Sequence, residues 1–163
     1  MDRAIDFGML RKYEYCRKLP HDQPDFKVFF ITFSVHDRWT LPESVRQIVI
    51  DTCLAGNRRK FRLHAIVVMP DHVHMVLAPK YDADGPVSIA EIMQAIKGAS
   101  AHRINKALGR RGKIWEEESF DRALRWEESV VDKVDYILGN PVGAGLATNP
   151  LEYRWLWRET ETT

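Results

Sequence analysis

Phe61-Arg62-Leu63-His64-Ala65-Ile66-Val67-Val68-Met69-Pro70-Asp71-His72-Val73-His74-Met75-Val76-Leu77-Ala78 is the stretch from which the rest of the chain can be read. Two runs rich in apolar residues flank Pro70-Asp71, a pair suited to a tight turn, so Phe61 to Met69 and His72 to Ala78 are expected to form a hairpin. Side chains alternate along a strand with a period of two. His72 and His74 therefore share one face, and Val73, Met75 and Leu77 take the other.

Upstream, Lys27 to Val35 is β-branched and aromatic and reads as a strand. Thr40-Leu41-Pro42-Glu43 has the form of a capping box, with Val45, Ile48, Val49 and Cys53 following at helical spacing and Gly56 ending the element. Downstream, Ser88-Ile89-Ala90-Glu91 is a second capping box and opens a helix with Ile89, Ile92, Met93 and Ile96 on one stripe. A fourth strand is expected within Lys113 to Arg125. A last helix is expected from Glu127 to about Gly139, stopped by Asn140-Pro141. The order β-α-β-β-α-β-α predicts an α+β, ferredoxin-like (split βαβ) antiparallel sheet with helices on one face, plus an added C-terminal helix. Residues 1–163 are read as one domain, with 1–25 an extended lead-in and 146–163 a tail packed on it by Trp155, Leu156 and Trp157.

The 163 residues suffice for a real core, and 45% hydrophobic with 29% charged content is that of an ordinary globular chain. No apolar run approaches a membrane span, and the first residues carry no apolar signal core, so a cytoplasmic protein is expected. Cys16 and Cys53 form neither a disulfide framework nor a metal spacing. The net charge is only +1, but it is segregated. Lys97, Arg103, Lys106, Arg110, Arg111 and Lys113 fall in a stretch without acids, and Arg58-Arg59-Lys60-Phe61-Arg62 forms a second basic cluster. Such clusters present cations to phosphates or form solvated faces; composition alone leaves both open.

Two imidazoles on a rigid strand can converge on one metal ion, although a bare His-x-His also fits a pair of solvent-face histidines. The last helix adds a second feature. Val130, Val131, Val134, Ile137 and Leu138 form one apolar arc, and Tyr136 points away from it on a polar ridge with Asp132 and Asn140. That tyrosine is either a half-exposed surface residue or a nucleophile. A phenol can attack a phosphodiester and hold the broken strand as an ester, and a divalent ion can offset the charge that develops. Histidine and oxygen donors without thiolates suit Mg²⁺ or Mn²⁺. No general base stands out.

Several stretches resemble the single-tyrosine HUH transposases, in particular the REP-associated tyrosine transposases. They are Leu19-Pro20-His21 with Phe30-Ile31-Thr32-Phe33, Met69-Pro70-Asp71-His72-Val73-His74, Ile96-Lys97-Gly98, Gly112-Lys113-Ile114-Trp115, and Tyr136-Ile137-Leu138-Gly139-Asn140-Pro141-Val142-Gly143-Ala144-Gly145-Leu146. The resemblance implies that Tyr136 is the catalytic nucleophile, leaving a 5′-phosphotyrosine and a free 3′-hydroxyl. It implies metal ligation by His72, His74 and Asn140, and a partner of single-stranded DNA folded into imperfect hairpins. In that setting Lys97, Arg103, Lys106, Arg110, Arg111, Arg58 and Arg59 are the candidate DNA-binding cations of a nucleoid-associated monomer or homodimer. Asp71 stands where many relatives have Asn, and the near-neutral charge departs from an affinity built on phosphate neutralisation. Two other readings stay open: a hairpin-binding protein that does not cut, and a metal-dependent phosphoesterase in which Tyr136 is structural. His21, His36, His64 and His102 have no partner spacing and are read as structural or surface residues.

Overall fold

The computed structural model describes residues 27–125 and 129–160. Strand β1 (Phe29–Val35) leads through a 3-10 turn into helix α1 (Glu43–Gly56), and β2 (Phe61–Val68) and β3 (His72–Pro79) follow as the expected hairpin. A small hairpin of β4 (Tyr81–Asp82) and β5 (Gly85–Pro86) precedes α2 (Ile89–Leu108). The chain then forms β6 (Trp115–Ala123), α3 (Val130–Gly143) and a short β7 (Leu156–Arg158). The lead-in, the expected helix start at Glu127, His21 and Cys16 lie outside the described residues.

The main sheet is antiparallel throughout, in the order β6-β1-β3-β2-β7. β1 and β2 both run antiparallel to the strand between them, so α1 is a crossover; α2 does the same for β3 and β6. The four strands β6-β1-β3-β2 have the order of the split βαβ fold. β7 extends the sheet beyond β2, so part of the tail is a strand, and Trp155 beside it is buried.

Parity along β1 separates the two faces. Ile31, Phe33 and Val35 are buried on one, where Phe33 meets Trp115 at 4.8 Å between ring centroids. Trp115 Nε1 donates to Ser100 Oγ of α2, and Arg103 Nη1 of α2 donates to Thr52 Oγ1 of α1. Phe30 and Thr32 point to the other face, where α3 lies over β2 and β3 through Val134, Ile137, Leu138 and Pro141. With both faces covered, nearly every residue of β2 and β3 is buried.

Two local expectations are corrected. α1 starts at Glu43 with Pro42 at its cap and no side-chain cap, so Thr40 does not cap it. The buried Leu41 instead donates its N–H to Pro70 O at 2.7 Å, and docking on the β2–β3 turn decides where the helix begins. α3 also does not stop at Asn140; it runs through Pro141 to Gly143. Pro141 forgoes one helical hydrogen bond but is buried in the core, and Ala144, Gly145 and Leu146 donate back to the last turn. Asn140 thus stays helical, one turn after Tyr136. Ser88, by contrast, accepts from Glu91 N–H as its sequence predicts.

Candidate active site

His72 and His74 open β3, opposite Ser34 and Thr32 of β1, and their ring centroids are 4.7 Å apart at near-perpendicular planes. Each ring has one nitrogen committed to an oxygen. Asp71 Oδ1 lies 2.7 Å from His72 Nδ1, and because a carboxylate only accepts, the proton sits on Nδ1. Thr32 Oγ1 lies 2.7 Å from His74 Nδ1, and the tautomer that donates to it leaves the Nε2 lone pair free. The donor set therefore fits a metal: two Nε2 atoms on one rigid strand, each ring oriented by a neighbour. Burial, reinforced by the neighbouring His72, lowers the pKa of His74 from 6.5 to about 4 and keeps it neutral at neutral pH.

α3 carries Tyr136 to the same place. Its ring centroid is 5.8 Å from that of His74 and 5.8 Å from that of Phe30, edge-on to both, while the residue remains 53% exposed. The apolar arc of α3 packs on the sheet, so the polar ridge runs along the helix flank and brings Tyr136 beside His74. Phe30 stacks on His74 at 5.4 Å and completes an aromatic cluster, and the Lys133 ammonium lies 5.5 Å from the Phe30 centroid. A cleft along α3 is lined by Asp132, Asp135, Tyr136, Asn140 and the glycines at 139 and 143. Burial and the nearby Asp132 raise the pKa of Asp135. The family model described as "Transposase IS200 like" matches residues 33–134, a stretch that contains both histidines.

The chain belongs to the IS200-like transposase family. It is 28% identical over 91 residues to a Haemophilus influenzae protein named as a REP-associated tyrosine transposase. That match spans 52% of each chain, so the chain covers about half the length of this relative. The fold is similar to the solved structure of a REP-associated tyrosine transposase bound to a REP hairpin, at a TM-score of 0.64 and 22% identity, covering 80% of this chain and 75% of that one.

The expected DNA-binding cations lie at several separate places in the fold. Lys97 Nζ donates to the carbonyls of Glu116 and Glu117 at 2.8 and 3.0 Å, and burial lowers its pKa. Arg103 ties α2 to α1. Both belong to the face opposite Tyr136, and the fold uses their hydrogen bonds. Lys106 is exposed on the last turn of α2. The loop with Arg110 and Arg111 returns to β6 at the His72 end of the sheet, where His36 N–H donates to Ile114 O. Arg110 stacks over Trp39 at 4.4 Å, and Arg111 is exposed. Arg58 and Arg59 lie at the other end of the hairpin, where Phe61 pairs with Pro79.

Of the other described histidines, His102 is exposed and His64 buried, as surface and structural residues would be. His36 has partners after all: its ring lies 3.4 Å from the carboxylates of Asp37 and Glu116, and the three could together face a cation. Glu116 Oε1 already accepts from Asp37 N–H at 2.9 Å, which lowers its pKa. Glu116 is 80 positions further along the chain than His36, and no sequence spacing signals such a pair. His64 does not join the site. It sits at a β-bulge, fully buried, with Nδ1 3.5 Å from Glu159 Oε2. Cys53 is buried, which pushes its thiol up to about 12 and leaves it inert. Among the described residues no helix is long and apolar enough to cross a membrane.

Proposed function

We propose that this protein nicks and rejoins single-stranded DNA at REP-like hairpins, with Tyr136 as the nucleophile. The observation that carries the reading is the 5.8 Å approach of the Tyr136 ring to His74 within one chain. Membership of the IS200-like family and the fold likeness to a hairpin-bound relative support it. Tyr136 Oη would bond to the scissile phosphorus while the bond to the 3′ oxygen breaks. The DNA then leaves as a 5′-phosphotyrosine on one side and a 3′-hydroxyl, which takes up the proton, on the other. That ester conserves the bond energy, and attack by a 3′-hydroxyl reverses the step.

His72 and His74, through Nε2, and Asn140 would hold Mg²⁺ or Mn²⁺, which when bound polarises the phosphate. The protein's own part is orientation. Asp71 and Thr32 fix the imidazoles, the aromatic cluster fixes the phenol ring, and packing of α3 fixes the helix that carries it. Attack by the phenol requires its proton to be removed as the bond to phosphorus forms.

The test is an adduct assay with a hairpin oligonucleotide labelled at its 3′ end, in Mg²⁺ or Mn²⁺. The wild-type protein should carry label on a denaturing gel. Tyr136→Phe should carry none while binding the same oligonucleotide, and an adduct that survives the substitution removes this tyrosine from the chemistry. Adduct-free turnover of a small phosphodiester, unchanged by Tyr136→Phe, would instead favour a phosphoesterase.

A further inference from the structure

We propose that Phe120 stacks a base of the single strand beside the reacting phosphate, and so positions the substrate; this rests on the reading of Tyr136 above. Phe120 is 60% exposed in the middle of β6, a strand otherwise dominated by charged residues. It pairs with Thr32, which in turn pairs with His74. Directly paired residues share a face, so Phe120 stands on the His74 side of the sheet. Two strand spacings of about 4.8 Å put it about 10 Å from His74.

The open part of that face sets the path of a bound strand. α3 packs chiefly on β2 and β3 and reaches β1 with Tyr136 and Lys133 at Phe30, while Phe120 of β6 stays exposed. A strand whose phosphate sits between Tyr136 and the histidines is blocked on the β2 side and leaves across β1 and β6. Five large apolar side chains are exposed among the described residues: Tyr81, Phe120, Tyr136, Leu146 and Leu151. Phe120 is the one that stands on this path beyond the nucleophile.

Charge selects which part of the nucleotide meets it. Glu118 lies two residues before Phe120 and is exposed. It falls where the β1–β6 register shifts between Ser119 and Trp115, so it is near Phe120 by sequence and its face is not fixed by pairing. A carboxylate there repels a phosphate but tolerates a neutral base, and every base offers a π-face to an aromatic ring. Cations lie nearer the centre: Arg122 pairs with Phe30, and Lys133 lies over the Phe30 ring. The backbone would thus cross near Phe30 with the base turned outward onto Phe120.

Binding is measured by fluorescence anisotropy, using a labelled REP-type hairpin with single-stranded thymidine flanks. Phe120→Ala and Phe120→Leu should each weaken binding by about 5- to 100-fold, and Phe120→Trp should restore it. Abasic replacement of flank nucleotides, one at a time, should find one position whose loss costs the wild-type protein a similar factor and costs Phe120→Ala nothing further. Unchanged affinity in Phe120→Ala, with the Tyr136 adduct still formed, overturns the inference and leaves the nuclease reading standing. So does a Phe120→Ala protein whose only change is its oligomeric state, since the ring would then serve contact between copies. A wild-type protein that binds no flanked hairpin overturns both.

Discussion

Thr32 Oγ1 lies 2.7 Å from His74 Nδ1 across the β1–β3 ladder, where the two residues stand directly opposite each other. Register therefore sets the orientation of a candidate ligand ring. Thr32→Val keeps the branched shape that suits a strand and removes the oxygen. Its affinity for Mn²⁺, measured by calorimetry, is expected to fall about 10- to 100-fold, with the circular dichroism spectrum unchanged. Thr32→Ser should retain most of the affinity. Equal affinity in the Val variant would show that packing by Phe30 alone holds the ring.

Lys97 and Arg111 lie in one basic stretch of sequence but should respond differently to removal. Lys97 Nζ holds two carbonyls of β6, so Lys97→Met leaves them short of a donor and should cost about 1–3 kcal/mol in urea unfolding. Arg111→Ala, at an exposed position, should leave the unfolding midpoint in place. It should weaken DNA binding and reduce the slope of log affinity against log salt by about 1. The reverse pattern would restore Lys97 as a phosphate contact.

That contrast shows where sequence reading stops. The β2–β3 hairpin was legible because alternation and turn chemistry are local, and the same alternation puts His72 and His74 on one face. The direction of Tyr136 follows from helical period, but its nearness to His74 depends on how α3 crosses the sheet. Thr40 and Pro141 mislead because tertiary contacts outweigh local rules: Leu41 docks on Pro70, and the core buries the Pro141 ring. His36 with Glu116, and Lys97 with the β6 carbonyls, are long-range pairings. No spacing rule reaches them, and a cation held by two backbone carbonyls looks the same in sequence as one free for DNA.

His64 should make the fold acid-sensitive. Burial lowers its pKa from 6.5 to about 4, against the pull of Glu159. As pH falls from 6.5 toward 4 the unfolded chain takes up a proton that the folded chain refuses, so stability drops over that window and levels off below it. The shift corresponds to about 3 kcal/mol. His74 shifts in the same direction and adds its own loss. His64→Phe should flatten the pH dependence of urea-unfolding free energy between pH 7 and 4.5 relative to wild type. Identical pH profiles would mean that His64 charges within the fold, paired with Glu159.

Asp71 separates hydrogen bonding from charge at the other histidine. Its carboxylate accepts from His72 Nδ1–H at 2.7 Å and also places a negative charge beside the candidate cation. In Asp71→Asn the amide oxygen can still accept, so the ring keeps its tautomer and only the charge is lost. In Asp71→Ala both are lost. If orientation is what Asp71 supplies, Mn²⁺ affinity should stay within about threefold in the Asn variant and fall at least tenfold in the Ala variant. The His72 ring-nitrogen NMR shifts should report an Nδ1-protonated tautomer in the first and a mixture in the second. Asn and Ala variants equally weakened in metal binding, with the tautomer intact in Asn, would assign the role of Asp71 to its charge. The ring of His72 would then be held by its edge-on contact with His74, 4.7 Å away.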